Sequence, residues 1–301
     1  MMSRSQRKTI YLGGEKSGEM LRLQTDPPAF EGGSTVPIAA YLLIVAVLSG
    51  LAFVSTGESP SPLLGMGWGL FLVAVAVGAV AIEGVSPRSL FAPPRSFAAA
   101  VAVVAAFWAL YNLVAYGLAL GDVAGFAPSE SRVAAHPLAY LAALLSAFLF
   151  TAVPEELAFR GYLQSRLVAL AGRRGRRAVA VGVTGATALF ALFHLPRWFL
   201  MLHRGVGVSL AVRLLGVALA GVAYGLVYAL TGNVWLVALF HATMNQPPFL
   251  VTVHVPATLH LPVAVVEYGA ILAVSVAAVR LTDADGTDRG LSAWSTTTGR
   301  E

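Results

Sequence analysis

Eight long apolar runs, nearly free of charge, decide what this 301-residue chain can fold into. They fall at about 36–55, 63–85, 97–120, 138–160, 178–196, 208–230, 233–253 and 263–280. A helix needs roughly 20 apolar residues to cross the hydrocarbon of a bilayer. Lipid admits only helices or closed barrels, because it cannot hydrogen-bond an open backbone. The runs are continuous rather than alternating, which selects helices over barrel strands. Only 12% of residues are charged and 57% are hydrophobic, whereas soluble domains carry about 25% charged residues. The expected fold is all-α: a polytopic membrane helical bundle of about eight transmembrane helices around a polar cavity, one domain over 36–280. The fourth run reads as continuing into an amphipathic extension over 161–171, and Pro247-Pro248 is expected to kink or break the seventh.

Residues 1–35 are polar and lack an apolar signal core, so they read as a cytoplasmic N-terminal tail without a cleavable signal peptide. The stretch 281–301 is rich in Thr, Asp, Gly and Ser and reads as a disordered cytoplasmic tail. Orientation follows the basic residues. With the N-terminus inside, the inner segments hold 15 of the 20 Lys and Arg residues; the outer loops hold 3 (Arg132, Arg197 and Arg204), and Arg160 and Arg213 lie within helices. An even number of crossings then puts both termini of this multi-pass cell-membrane protein in the cytoplasm. The net charge of +5 is accounted for by topology and lipid headgroups, with no nucleic-acid partner implied. Cysteine is absent, which excludes disulfides, thiolate metal sites and a cysteine nucleophile.

Three short motifs stand out inside these helices: Glu155-Glu156-x-x-x-Arg160, Phe190-x-x-x-His194 and His241-x-x-x-Asn245. Ionisable groups at membrane depth are expensive and usually functional. Residues four apart share a helix face, so Glu156 is placed to pair with Arg160, and Glu155, turned about 100° away, is left available as a base. Pro154 is positioned to widen the helix locally and free a carbonyl. Glu155 and His194 lie at nearly equal distances from the centre of the loop Arg173–Arg177, so an antiparallel hairpin sets them at equal depth. Phe190, one turn earlier, is placed to pack against the imidazole. His241 and Asn245 share a face and can donate hydrogen bonds to an oxyanion. The Arg cluster at 173–177 suggests a site opening to the cytoplasmic side. Each motif also has a structural reading, as a buried charge network or as polar glue between helices. Glu83 reads as a snorkelling residue at the inner interface, and Arg213 and Glu267, both near the outer face, are placed to pair.

In order and spacing these motifs resemble the CAAX protease and bacteriocin-processing family of intramembrane endopeptidases, also called the Abi family, which includes the Ras-converting prenyl-protein proteases. The resemblance covers about residues 138–250 and extends to Gly232-Asn233-Val-Trp235 ahead of His241. It implies hydrolysis of a membrane-associated protein or peptide without an acyl-enzyme. By the resemblance, Glu155 with His194 activates a water, His241 and Asn245 stabilise the oxyanion, and Glu156 and Arg160 support Glu155. It leaves metal open. Glu155, His194 and His241 would be the ligands if zinc were used, but the chain has no H-E-x-x-H motif, and Glu155 suffices as a base alone, which is the preferred reading. Two other classes compete: a non-enzymatic immunity or scaffolding protein of the same fold, and a proton-coupled transporter, for which the expected internal pseudo-symmetry is not visible.

Overall fold

The computed structural model describes residues 28–55, 61–172 and 175–284. The tail readings for 1–27 and 285–301 fall outside them, as do Arg173 and Arg174. Among the described residues the chain is a helical bundle with one two-stranded ribbon. The helices are α1 (Thr35–Val54), α2 (Pro62–Ile82), α3 (Pro94–Leu120), α4 (Pro137–Leu170), α5 (Arg176–Phe193), α6 (Val208–Thr231), α7 (Val234–Asn245) and α8 (His260–Ala284). Seven of these stretches are long and apolar enough to cross a membrane. Large apolar side chains such as Leu42, Phe53, Leu70, Leu113 and Leu138 point outward from the bundle, as a lipid-facing surface requires.

The eighth expected crossing, at 233–253, is helical only as far as Asn245, because Pro247-Pro248 cannot continue the backbone ladder. Twelve helical residues span about 18 Å, short of the ~30 Å hydrocarbon core. The remaining distance is covered by extended chain. At one end, Gly232 turns the chain with a left-handed backbone (φ 61°) and Asn233 caps α7, accepting from the Trp235 and Leu236 amides at 3.0 and 3.3 Å. Asn233 also donates to the Ser96 carbonyl at the start of α3 (3.0 Å). At the other end, the Asn112 side chain, far along α3, donates to the Pro248 carbonyl (3.0 Å) and accepts from the Leu250 amide (2.7 Å). Beyond it, strand β2 (Val251–Val253) pairs antiparallel with β1 (Phe126–Glu130), which follows α3. Residues 233–253 therefore run the length of α3.

Helix α4 is the axis of the bundle. Every residue from Pro154 to Arg166 is buried, so the first half of the extension expected to be amphipathic, 161–166, is enclosed on all sides, while Leu170 and Ala171 at its end are exposed. Two π-helical stretches, Phe148–Ala152 and Leu157–Gln164, flank the four residues that carry Pro154, Glu155 and Glu156. Such widened turns concentrate at functional positions. Glycines let neighbouring helices close on this axis: a Cβ on Gly182 of α5 would collide with Val168, and one on Gly69 of α2 would lie 2.5 Å from the Phe150 carbonyl oxygen.

Two polar assignments change. Glu83 does not snorkel. It is buried and accepts from the Tyr162 hydroxyl (2.9 Å) and from Arg166 Nε (2.6 Å), and the same guanidinium donates to the carbonyls of Gly32 and Gly33, each at 2.7 Å. This network ties the segment before α1 to α2 and α4. Arg213 does not pair with Glu267, which instead accepts from the Tyr111 hydroxyl (3.1 Å). Residues 281–284, read from the sequence as part of the tail, belong to α8.

Candidate active site

The Glu155-Glu156 step sits between the two widened turns of α4, and its carboxylates point in different directions. Glu156 is fully buried and bridges Arg160 and His241. Its Oε2 lies 3.3 Å from Arg160 Nε on the same helix, and its Oε1 accepts from His241 Nδ1 at 2.7 Å. The Arg160 guanidinium also lies over the Phe190 ring, 4.8 Å from its centroid. Glu155 faces the other way, and its Oε2 is 3.9 Å from His241 Nε2. His241 is thus held by one glutamate and adjoins the other. Its ring stacks on Tyr224 of α6, with centroids 5.5 Å apart.

His194 occupies the break where α5 gives way, before Pro196, to a π-helical turn over Arg197–Met201. Its Nδ1 lies 2.7 Å from the Phe190 carbonyl, and its ring meets Phe190 edge to face at 4.8 Å. A carbonyl only accepts, so Nδ1 carries the proton, and in the neutral ring Nε2 is left as an acceptor.

Three cavities meet at His194. One, of about 320 Å³, lies between the ends of α1 and α2 and is lined by Glu155, His194, Thr151, Trp68 and Arg197. A second, of about 330 Å³, lies between α5, α6, α7 and α8 and is lined by His194, His241, Asn245, Tyr224 and Arg213. A third, of about 270 Å³, adjoins both through His194, Arg197 and Arg213. The six motif residues thus form one constellation: Glu155, His194, His241 and Asn245 face cavities, while Glu156 and Arg160 lie behind them. The Glu156–His241 bond, the Tyr224 stack and the two cavity arginines had no signal in local sequence spacing.

The cavities extend to residues 48–55 and 64–68 and to the starts of α6 and α8. Arg176, the first residue of α5, is at the opposite end. Eighteen helical residues separate Arg176 from His194, about 27 Å of helix. The site is therefore not at the mouth of that hairpin, and the expected link between the Arg cluster and the site opening does not hold. Equal sequence distance from the loop did bring Glu155 and His194 to one cavity, but at its far end.

Two lines of comparison return nothing: no curated protein and no solved structure gives a match. Residues 137–246 match the family described as type II CAAX prenyl endopeptidase, Rce1-like. The matched segment begins where α4 begins, ends one residue past α7, and leaves α1–α3 and α8 outside it. Every motif residue falls inside that segment, which is thus similar to the CAAX protease family.

Proposed function

We propose that this protein is an intramembrane endopeptidase that hydrolyses a peptide bond of a membrane-associated protein or peptide. The observation that carries this reading is the meeting of Glu155, His194, His241 and Asn245 on adjoining cavities inside a membrane bundle. Glu155 takes a proton from water, with His194 Nε2 as a second acceptor orienting it. The hydroxide oxygen adds to the scissile carbonyl carbon, and the carbonyl oxygen becomes an oxyanion. His241 Nε2–H and the Asn245 amide donate to it. The C–N bond then breaks as the proton held by Glu155 passes to the leaving nitrogen, releasing a carboxylic acid and an amine. Donation from His241 Nε2 requires the imidazolium, since Nδ1–H is committed to Glu156. With that proton, Glu155, Glu156, Arg160 and His241 sum to zero charge, which suits a buried cluster. Comparison of newly formed protein termini in membranes carrying the wild type or Glu155→Gln tests the activity directly. Identical sets of termini would favour a non-enzymatic role.

The metal-independent reading is the one we favour. A catalytic zinc site takes three protein ligands and a water, yet among the described residues no three His, Cys, Asp or Glu side chains converge as a metal group. No step is assigned to a metal. Purified active protein is expected to lack stoichiometric zinc and to keep its turnover in chelator. About one zinc per chain, with activity lost on chelation and restored by zinc, would make Glu155, His194 and His241 ligands.

Combined with the distribution of basic residues, the cavity positions favour a site that opens on the outer half of the membrane, both termini being cytoplasmic. Because the chain has no cysteine, single cysteines at Thr151 and Gly216, which line two of the cavities, report this directly. They should react with an impermeant thiol reagent in right-side-out vesicles. Reaction confined to inside-out vesicles would reverse the orientation.

A further inference from the structure

Three arginines share the lining of the third cavity, beside His194, with Trp198 and four leucines. Arg197, Arg204 and Arg213 all line it, and no Asp or Glu does. The sequence gives no hint of this grouping, because the three come from a π-helical turn, a loop and the first turns of α6. Local structure fixes Arg204: its backbone amide donates to the Trp198 carbonyl (3.1 Å), Trp198 Nε1 donates to the Gly205 carbonyl (3.1 Å), and the guanidinium stacks 5.0 Å from the Trp198 ring centroid. Among the described residues none of the three makes an ion pair, Glu267 being bonded to Tyr111 instead of Arg213. Arg197 and Arg213 are close enough to interact electrostatically with each other and with Glu155. The like charges of Arg197 and Arg213 on one recess repel one another, and an anion between them relieves that repulsion. The guanidinium fork matches a carboxylate with two parallel hydrogen bonds.

We propose that Arg197, Arg204 and Arg213 form an anion-binding subsite that takes a carboxylate of the peptide substrate a short distance from the scissile bond. The proposal rests on the endopeptidase reading. A substrate group is favoured over a lipid phosphate because Arg197 also lines the cavity holding Glu155 and Arg213 the one holding His241 and Asn245. The anion they hold then belongs to the molecule that fills those cavities. The carboxylate has two sources, the substrate's C-terminus or an Asp or Glu side chain.

Binding to purified, full-length Glu155→Gln protein in neutral detergent, read by titration calorimetry, separates these possibilities without requiring turnover. One pair of probes is acetyl-Leu-Leu as free acid and as amide; a second is acetyl-Glu-Leu-amide and acetyl-Gln-Leu-amide. A charged hydrogen-bonded contact is expected to make the acid member of one pair bind at least about tenfold more tightly. The preferred pair identifies the source. The preference should shrink in R204Q and R213Q and weaken with added sulfate. If the members of both pairs bind equally, the subsite is refuted. It is refuted in favour of a lipid headgroup if phosphatidylglycerol micelles alone stabilise the protein through these arginines. A peptidase indifferent to substrate charge fails this test while the function stands, and a chain that never cleaves peptides can still pass it.

Discussion

Glu155→Gln is expected to abolish peptide-bond hydrolysis while leaving the bundle folded. Glu155 borders the water-accessible cavity and is the carboxylate not committed to Arg160. Its closest cationic neighbour, His241 Nε2, is 3.9 Å away, too far for a hydrogen bond. The amide keeps the size of the side chain but cannot take a proton from water. Loss of a general base typically costs about 10²–10⁴ in rate, and more where the nucleophile depends wholly on it. Turnover of a cleavable reporter in detergent, with unfolding midpoints as the control for folding, decides the matter. Near-wild-type turnover would remove Glu155 from the chemistry. A fall in turnover matched by a fall in stability would make it a structural residue.

Glu156→Ala should instead damage the protein itself. Glu156 is fully buried, forms an ion pair with Arg160 and accepts a hydrogen bond from His241. Removing it strands a guanidinium in the centre of α4 and frees His241 Nδ1. Breaking a buried ion pair by deleting one partner costs about 3–5 kcal/mol in soluble proteins. The Phe190 face under Arg160 offsets little of that, since a cation–π contact is worth about 0.5–2 kcal/mol. Thermal unfolding of Glu155→Ala and Glu156→Ala, measured side by side, should show the second much less stable, with activity lost in both. Equal midpoints would mean that the Arg160 charge is held by other groups.

Much of the constellation was legible in the chain because it rests on local geometry. Apolar runs of about membrane length can be satisfied only by helices, and a spacing of four puts Glu156 beside Arg160 and His241 beside Asn245 on their own helices. The Phe190–His194 contact follows from the same rule. What spacing cannot supply is the rotation of one helix against another. The bond from Glu156 to His241 closes across 85 residues of sequence, and it depends on how α7 settles against α4. The same holds for Tyr224 against His241 and for Glu83 against Arg166.

The chain by itself therefore determined the number of apolar passages, the motif residues to which the chemistry is assigned by proposal and, through Pro247-Pro248, the point where α7 must stop. Only the tertiary structure decided that a twelve-residue helix and an extended strand together complete the last passage but one. Asn112 and strand β1, which hold that strand in place, are remote from it in sequence. Only the tertiary structure placed the site at the end of α5 away from the Arg cluster and gathered Arg197, Arg204 and Arg213 around one recess. The reason is physical. Lipid rewards any apolar helix equally on all sides, so hydrophobicity specifies that a helix exists but not which face it turns inward. That choice falls to the few close-packed glycines and buried polar bonds that fit in only one arrangement.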